Sequence, residues 1–597
     1  MFLPKIPLMW LIAALLVTGL PTTSAQSQAG DASTDQIEPL GPYGLDRDAY
    51  IVRYKEVFAP VVGQQGMVST QNDIATGVGV DILEQGGNAV DAAVAVGFAL
   101  AVTLPRAGNI GGGGFMLVHM NGNTESIDYR ETAPSTVTAD KFLNEAGEKD
   151  PASRFKWPAV GIPGTVAGMH AAWSKYGQLK WATLLQPAID LASKGFKVNY
   201  DLAEILAIKK PWLSQDPGSL AAFYPSPETT YTAGQTMRRP HLAATLRAIQ
   251  ADGPTPFYRG KIAEKMVAAS QQAGGHFTLQ DLASYQAIFR PVLKGQYRGF
   301  EIAAMPPPSS GGVAIIEAFN ILENFPLSEW GYSADYVHVL VEALKMAFAD
   351  RGTHLADPAF AHVPVADLID KAYAKQLASK IKLNAVLKLD DGEVKAQEPP
   401  STTHYSIVDK DGNAVSNTYT LSSSFGAGIV VPETGILMNN QIHTFSVRAG
   451  IPGATGFIAS HANRVQGGKR PVSSQSPTIV LKNGKPFLVV GSPGGSRIIT
   501  AVVQVISNVI DHHMNVASAT NQHRVHHQWV PDVLEVEPGF NVDTVRLLEQ
   551  KGHTVKTTFT MGSTQSILIS PHYLYGASDP RRPNALTLPA QSPQRVE

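Results

Sequence analysis

The stretch TTHYSIVDKDGNAVSNTYTL, residues 402–421, decides how this chain is read. Two runs rich in threonine, aromatic and β-branched residues flank Lys410-Asp411-Gly412, which is a turn signal between strands. A three-residue loop, with a type I turn closed by Gly412 in the left-handed region, sets Asp409 opposite Asn413. Counting outward, Thr402 then faces Thr420 and His404 faces Thr418. Short hydroxyl side chains facing one another across two strands are within hydrogen-bond reach. A two-residue Asp411-Gly412 turn would instead set Thr403 against Thr420 and turn Thr402 to the opposite face. The three-residue register is the expectation adopted here. A threonine pair in a hairpin is by itself ordinary, because threonine favours strands.

Upstream, LNAVLKLDDGEVKAQEPPS (Leu383 to Ser401) is charged, carries Pro399-Pro400 and has no sustained apolar period. It reads as a mobile connector in which a backbone cut is sterically easy. Further back, GGNAVDAAVAVGFALAVTLP (Gly86 to Pro105) reads as a helix apolar on nearly every face, hence buried. GNIGGGGFMLVHM follows, with a strand at Phe115 to Met120. The order is helix, glycines, strand. A dinucleotide fingerprint or a P-loop needs strand, glycines, helix, so these glycines read as close backbone packing. Other helices are expected at Thr165 to Tyr176, Leu242 to Ala251, Ala334 to Ala349 and Ile498 to Ile510. Other strands are expected at Gly435 to Asn440, Pro477 to Leu481 and Pro486 to Gly491. The picture is helices outside and sheets inside, with the chain divided near residue 401.

Of 597 residues, 44% are hydrophobic and 16% charged, with a formal net charge of −2, which gives no reason to expect a nucleic-acid partner. The absence of cysteine excludes disulfides, thiolate metal sites and a cysteine nucleophile, so covalent chemistry falls to oxygen or nitrogen. The opening MFLPKIPLMWLIAALLVTGLPTTSAQS places one lysine before an apolar run from Leu8 to Leu20 and ends in Thr23-Ser24-Ala25. It reads as a secretory signal, residues 1–25, cut after Ala25. The run is shorter than the roughly 20 residues that span a bilayer. The mature protein is therefore expected to be exported, periplasmic or secreted, and not held in a membrane. His512-His513 and His526-His527 read as core or surface histidines, because neighbours on a helix do not share a face and no HExxH occurs. Neither a metal nor an organic cofactor is expected. Asp350-Arg351 reads as a structural ion pair. Gly494-Gly495 follow an apolar run and precede a helix, so their N–H groups can converge in front of a helix N-terminus.

The blocks GGNAVDAAVAVGFALAVTLPRAGNIGGGGFML, YRETAP, TTHYSIVDKDGNAVSNTYTL, GILMNNQ, KRPVSSQSPT and GSPGGSRIIT, in this order, resemble the γ-glutamyltransferases. The resemblance runs from about Gly66 to the end. It implies an α+β fold, the four-layer αββα sandwich of the N-terminal-nucleophile hydrolases. It also implies a precursor that cleaves itself between Ser401 and Thr402 into a large chain, residues 26–401, and a small catalytic chain, residues 402–597, which stay together as a heterodimer. Thr402 is implied as nucleophile and Thr420 as its support. The same resemblance makes Gly494 and Gly495 the oxyanion hole and Arg130 the carboxylate anchor, assisted by Ser473 and Ser474. Once the cut frees its α-amine, with a reference pKa of about 7.7–8.0, Thr402 carries its own general base.

The implied substrates are a glutathione-like γ-glutamyl donor and a water or amine acceptor. At the amine end the pattern changes. Gln441 keeps an acceptor, Ser422 stands where asparagine is usual, and Thr444 stands where an acidic residue is usual. A lost charged partner forfeits about 1.5–3 kcal/mol of hydrogen bonding. Two alternatives follow: a glutaryl-type (cephalosporin) acylase of the same family, and an uncleaved, non-catalytic exported binding protein. Arg448 to Gly468 corresponds to the family's lid, with Thr455 in place of its aromatic gate.

Overall fold

A computed structural model describes residues 56–145, 150–389, 401–447 and 461–591. The expected signal, residues 390–400 of the expected connector and residues 448–460 of the expected lid, including Thr455, lie outside the described residues. No helix among those described is long and apolar enough to cross a membrane.

Two antiparallel sheets of seven strands carry the fold. The first runs, edge to edge, Leu586–Pro589, Gly66–Thr70, Ser401–Asp409, Ala414–Ser422, Gly113–Met120, Asn123–Tyr129 and Ile288–Arg290. The hairpin beginning at Ser401 thus supplies two of its three central strands. The second runs Val61–Gly63, Leu574–Ser578, Gln565–Ile569, Lys485–Gly491, Thr478–Lys482, Phe300–Ala304 and Leu293–Tyr297.

Strand period decides what each hairpin residue meets, because successive side chains point to opposite faces. Tyr405, Ile407, Val415, Tyr419 and Leu421 face the helix layer and pack with the helix Ala89–Thr103. Every residue of that helix is buried. The Tyr405 hydroxyl donates to the Ala93 carbonyl at 2.9 Å and that of Tyr419 to the Gly97 carbonyl at 2.8 Å. Residues of the other parity face the second sheet. Val408 and Ala414 join Ile479, Val489 and Ile567 in a core between the sheets. Ser416 Oγ reaches the Val490 carbonyl at 3.1 Å and Ser406 Oγ the Gln565 carbonyl at 2.9 Å. On the far side of the second sheet, the helices Gly311–Leu322, Ala334–His354 and Arg497–Ile510 pack against Ile302, Val480, Leu488 and Val490. The layers are helix, sheet, sheet, helix, as the resemblance implied.

The glycine run is close packing. A Cβ at Gly112 would sit 2.1 Å from the Thr420 carbonyl oxygen and one at Gly114 2.4 Å from that of Thr418. The expected strand at Gly435 to Asn440 shortens to Ile436–Leu437. Asn439 leaves the ladder because its side chain accepts the Gly161 and Gln441 N–H groups, at 2.9 Å each.

Candidate active site

The hairpin adopts the three-residue register. Thr402 pairs with Thr420, His404 with Thr418, and Gly412 takes φ +80°. The Asp409 N–H donates to the Asn413 carbonyl at 3.0 Å, and the Asp409 carboxylate accepts the Asp411 and Asn413 N–H groups. A carboxylate accepting two backbone donors inside its own turn fixes the register that places Thr402.

At the open end of the hairpin the ladder slips by one residue between Ser401 and Thr402. Three hydrogen bonds converge there on one oxygen. Thr402 Oγ1 donates to Thr420 Oγ1 at 3.2 Å, Thr420 Oγ1 donates to the Ser401 carbonyl at 2.6 Å, and the Ser422 N–H donates to Thr420 Oγ1 at 2.8 Å. The carbonyl of the Ser401–Thr402 peptide thus accepts a short hydrogen bond from the hydroxyl that accepts the Thr402 hydrogen bond. Thr402 and Thr420 are both buried, so this polarisation acts with little competition from water.

His404, two residues further along the same face of the strand, is engaged elsewhere. Its Nδ1 lies 2.8 Å from Thr418 Oγ1 and its Nε2 3.0 Å from Ser406 Oγ. Burial pushes its pKa down to about 3. A Cβ at Gly491 would lie 2.3 Å from the His404 ring, so glycine is required where the second sheet crosses this face. The chain continues from Gly491 into Gly494 and Gly495, at φ +131° and +63°, immediately before the helix Arg497–Ile510. Among the described residues neither the Gly494 nor the Gly495 N–H is taken up by a hydrogen bond, whereas both carbonyls accept from the helix's first turn. Two unspent donors at a helix N-terminus are suited to developing negative charge.

Arg130 is almost fully buried behind the loop from Pro471 to Ser474. Its Nε donates to the Pro471 carbonyl at 3.2 Å, one terminal nitrogen to Val472 at 3.4 Å, and the other lies 3.4 Å from Glu131 Oε2. Guanidinium has five N–H donors, so donors remain for a carboxylate. Burial lowers the Arg130 pKa and raises that of Glu131 to about 7, opposing the attraction within the pair. Arg351 holds the loop from its other side. Its Nε donates to Ser310 Oγ at 2.7 Å and its Nη2 to Ser474 Oγ at 3.1 Å, while Ser310 N and Oγ both donate to the Ser473 carbonyl at 2.7 Å. The expected ion-pair partner of Arg351, Asp350, instead accepts the Tyr373 hydroxyl at 2.6 Å.

At the expected amine end, Ser422 takes φ +81°, a conformation costly for serine and tolerated by asparagine. Gln441 Nε2 donates to Thr444 Oγ1 at 3.2 Å, and Thr444 Oγ1 donates back to the Gln441 carbonyl at 2.7 Å. Gln441 Oε1 is buried with no hydrogen-bond partner among the described residues. The two histidine pairs go to separate partners: His526 to Thr500 and Gln528, His527 to Asp532, and His512 edge-on to Tyr336.

Comparison with known proteins matches residues 75–588 to the gamma-glutamyltranspeptidase family. The chain belongs to that family. It is 50% identical over 557 residues to the glutathione hydrolase proenzyme of Escherichia coli (strain K12), covering 92% of this chain and 94% of that protein. A glutathione hydrolase proenzyme of Pseudomonas sp. (strain A14) is 42% identical, with 89% and 95% covered. Among solved structures, the cephalosporin acylase from Bacillus halodurans superposes with a TM-score of 0.81 at 28% identity, covering 92% of this chain and all of that one. Family membership makes this chain an enzyme of the N-terminal-nucleophile class and identifies its antiparallel sandwich with that class.

Proposed function

We propose that this chain is the precursor of a glutathione hydrolase. In this reading it cleaves itself between Ser401 and Thr402, and the new N-terminal threonine opens γ-glutamyl amides. The observation that carries the proposal is the pair of linked hydrogen bonds Thr402–Thr420–Ser401, at 3.2 and 2.6 Å. Before cleavage, Thr420 accepts the proton side of the attacking hydroxyl and donates to the carbonyl under attack. The Thr402 oxygen bonds to the Ser401 carbonyl carbon, the C–N bond to Thr402 breaks, and the amine leaves with a proton. Water then hydrolyses the resulting ester, leaving residues up to Ser401 as the large chain and residues from Thr402 as the small one.

In the mature enzyme the freed α-amine takes the Thr402 hydroxyl proton. Because His404 is neutral and bonded to Thr418 and Ser406, it does not compete for that task. The donor carbonyl faces the unspent Gly494 and Gly495 N–H groups, and its α-carboxylate meets Arg130 together with Ser473 and Ser474. The acyl-Thr402 ester passes to water or to an amine, so kinetics are ping-pong. Export through the N-terminal signal accords with a substrate met outside the cytoplasm.

The buried, unpartnered Gln441 Oε1 supports a donor that carries an α-ammonium, because a glutaryl group would leave that acceptor unsatisfied. Side-by-side turnover of γ-glutamyl and glutaryl anilides tests this. A preference for the γ-glutamyl compound is expected, and equal or faster glutaryl hydrolysis would make the chain an acylase instead.

A further inference from the structure

Away from the hairpin, His338, Glu342 and His553 bring one ligand atom each to within 4.8 Å of one another. His338 and Glu342 stand one turn apart on the inward face of the helix Ala334–His354 and are fully buried. His553 follows the helix Val542–Gln550 and is 7% exposed. We propose that these three side chains form a binding site for one divalent transition-metal ion of the zinc type.

The donor set, two imidazoles and a carboxylate, is the kind that holds such ions with a fourth position left to solvent. Each ligand already has an orienting contact. His338 Nε2 lies 2.9 Å from the Lys382 carbonyl, so it carries the proton and leaves the Nδ1 lone pair for the site. Glu342 Oε2 accepts the Leu387 N–H at 3.0 Å, while Oε1 is buried and is held only by the Lys345 ammonium at 3.3 Å, which an ion would displace.

Without metal, His553 Nε2 lies 2.7 Å from His338 Nδ1 and donates its proton there. Two nitrogens bound to one ion at about 2.0–2.1 Å in tetrahedral geometry stand apart by a little over 3 Å. The rings must therefore separate by a fraction of an ångström, and the His553 proton moves from Nε2 to Nδ1. Both imidazoles stay neutral, so no proton is lost.

The surrounding charges are Lys345, whose ammonium lies 3.3 Å from Glu342 Oε1 and 2.9 Å from Asp532 Oδ1, Lys388, 3.4 Å from Asp532 Oδ2, and Lys551 and Asp335, paired with each other at 2.7 Å. His527, 3.1 Å from Asp532, is neutral as well. Glu342 and Asp532 thus balance Lys345 and the mostly exposed Lys388, and an entering dication competes with Lys345 for Glu342 Oε1.

The site would also act as a staple. Leu387 N–H bonds to Glu342, its carbonyl accepts Lys345 Nζ at 3.0 Å, Val386 N–H bonds to the Lys551 carbonyl at 3.1 Å, and Lys551 Nζ reaches the Leu383 carbonyl. The ion would tie this root of the connector, which precedes residue 401, to His553, which follows it. The staple between two separate chains rests on the proposed cut; the metal site itself does not.

The test loads chelator-treated protein with zinc, desalts it and counts metal by mass spectrometry. The experiment is run on wild type, on a His338→Asn/His553→Asn variant and on the more conservative Glu342→Gln. Wild type is expected to retain one zinc per chain, the double variant to lose it, and Glu342→Gln to bind at least about tenfold more weakly. Cobalt in place of zinc should give the visible absorption of a four-coordinate ion in wild type and not in the double variant. The uncut Thr402→Ala protein should bind zinc equally well, which separates this proposal from the catalytic one. Wild type that retains no zinc, or variants that retain as much as wild type, would overturn it.

Discussion

Replacing Thr420 by valine keeps the shape of the side chain and removes the oxygen on which three hydrogen bonds meet. The strongest of them by length is the 2.6 Å bond to the Ser401 carbonyl; the 3.2 Å bond from Thr402 is long for a hydroxyl pair, and the third, at 2.8 Å, caps the Ser422 N–H. Negative charge grows on the Ser401 oxygen during self-cleavage, so losing its donor costs about as much as losing an oxyanion-hole donor, ~10²–10³ in rate. The stranded Ser422 N–H costs a further ~1–3 kcal/mol of stability, which slows nothing by itself. Thr420→Val should accordingly purify as the uncut chain and mature at least about a hundredfold more slowly. Thr420→Ser keeps the oxygen and should mature within several-fold of wild type. The assay is a time course on denaturing gels, with fragment masses confirming the cut. Maturation of the valine variant at the wild-type rate would refute the role given to the Thr420–Ser401 bond.

Arg130→Lys keeps the charge and loses the fork that spans the Pro471 and Val472 carbonyls. The donor KM should rise by roughly ten- to a hundredfold, the equivalent of ~1.5–3 kcal/mol, with kcat less affected in steady-state kinetics. Ser422→Asn replaces serine at φ +81° with a residue that tolerates that backbone. It should raise stability by roughly 0.5–1 kcal/mol in chemical denaturation and improve kcat/KM for γ-glutamyl over glutaryl donors. His404 has a folded pKa of about 3, below its unfolded value. The unfolded chain therefore binds the extra proton as pH falls below about 6.5, and stability drops by roughly 1.6 kcal/mol between pH 6.5 and 5 from this residue alone. Denaturation of the uncut Thr402→Ala chain at both pH values should reveal that drop, and adding His404→Gln should shrink it.

The hairpin was legible because both its determinants are local: a Lys-Asp-Gly turn that fixes register, and a period of two that sorts Tyr405 and Tyr419 from Thr402 and Thr420. The buried helix was legible from its all-round apolar composition, and its ends drew in, from Gly86 to Ala89 behind the Asn88 cap and its Asp91 partner and from Pro105 to Thr103. Long-range polar contacts left no such trace. Arg351 looked like half of a helix-end ion pair, since nothing in its own neighbourhood announces Ser310 or Ser474. The expected mobile connector began too early for the same reason: Val386 and Leu387 are pinned by Lys551, Glu342 and Lys345, and only the fold brings those side chains together. His338 and His553 stand 215 positions apart, beyond any spacing rule for metal ligands. The catalytic roles themselves came from resemblance to a family, because a threonine pair across two strands is common and carries no chemistry by itself.

The working nucleophile is proposed to be a threonine whose own amine has been set free. Intact mass and N-terminal sequencing of the active protein test that claim most directly. They should return a small fragment beginning at Thr402, with a mass increase on that fragment when a γ-glutamyl electrophile is added. A protein that remains one chain, or begins its small fragment elsewhere, and still turns over the γ-glutamyl anilide would contradict it.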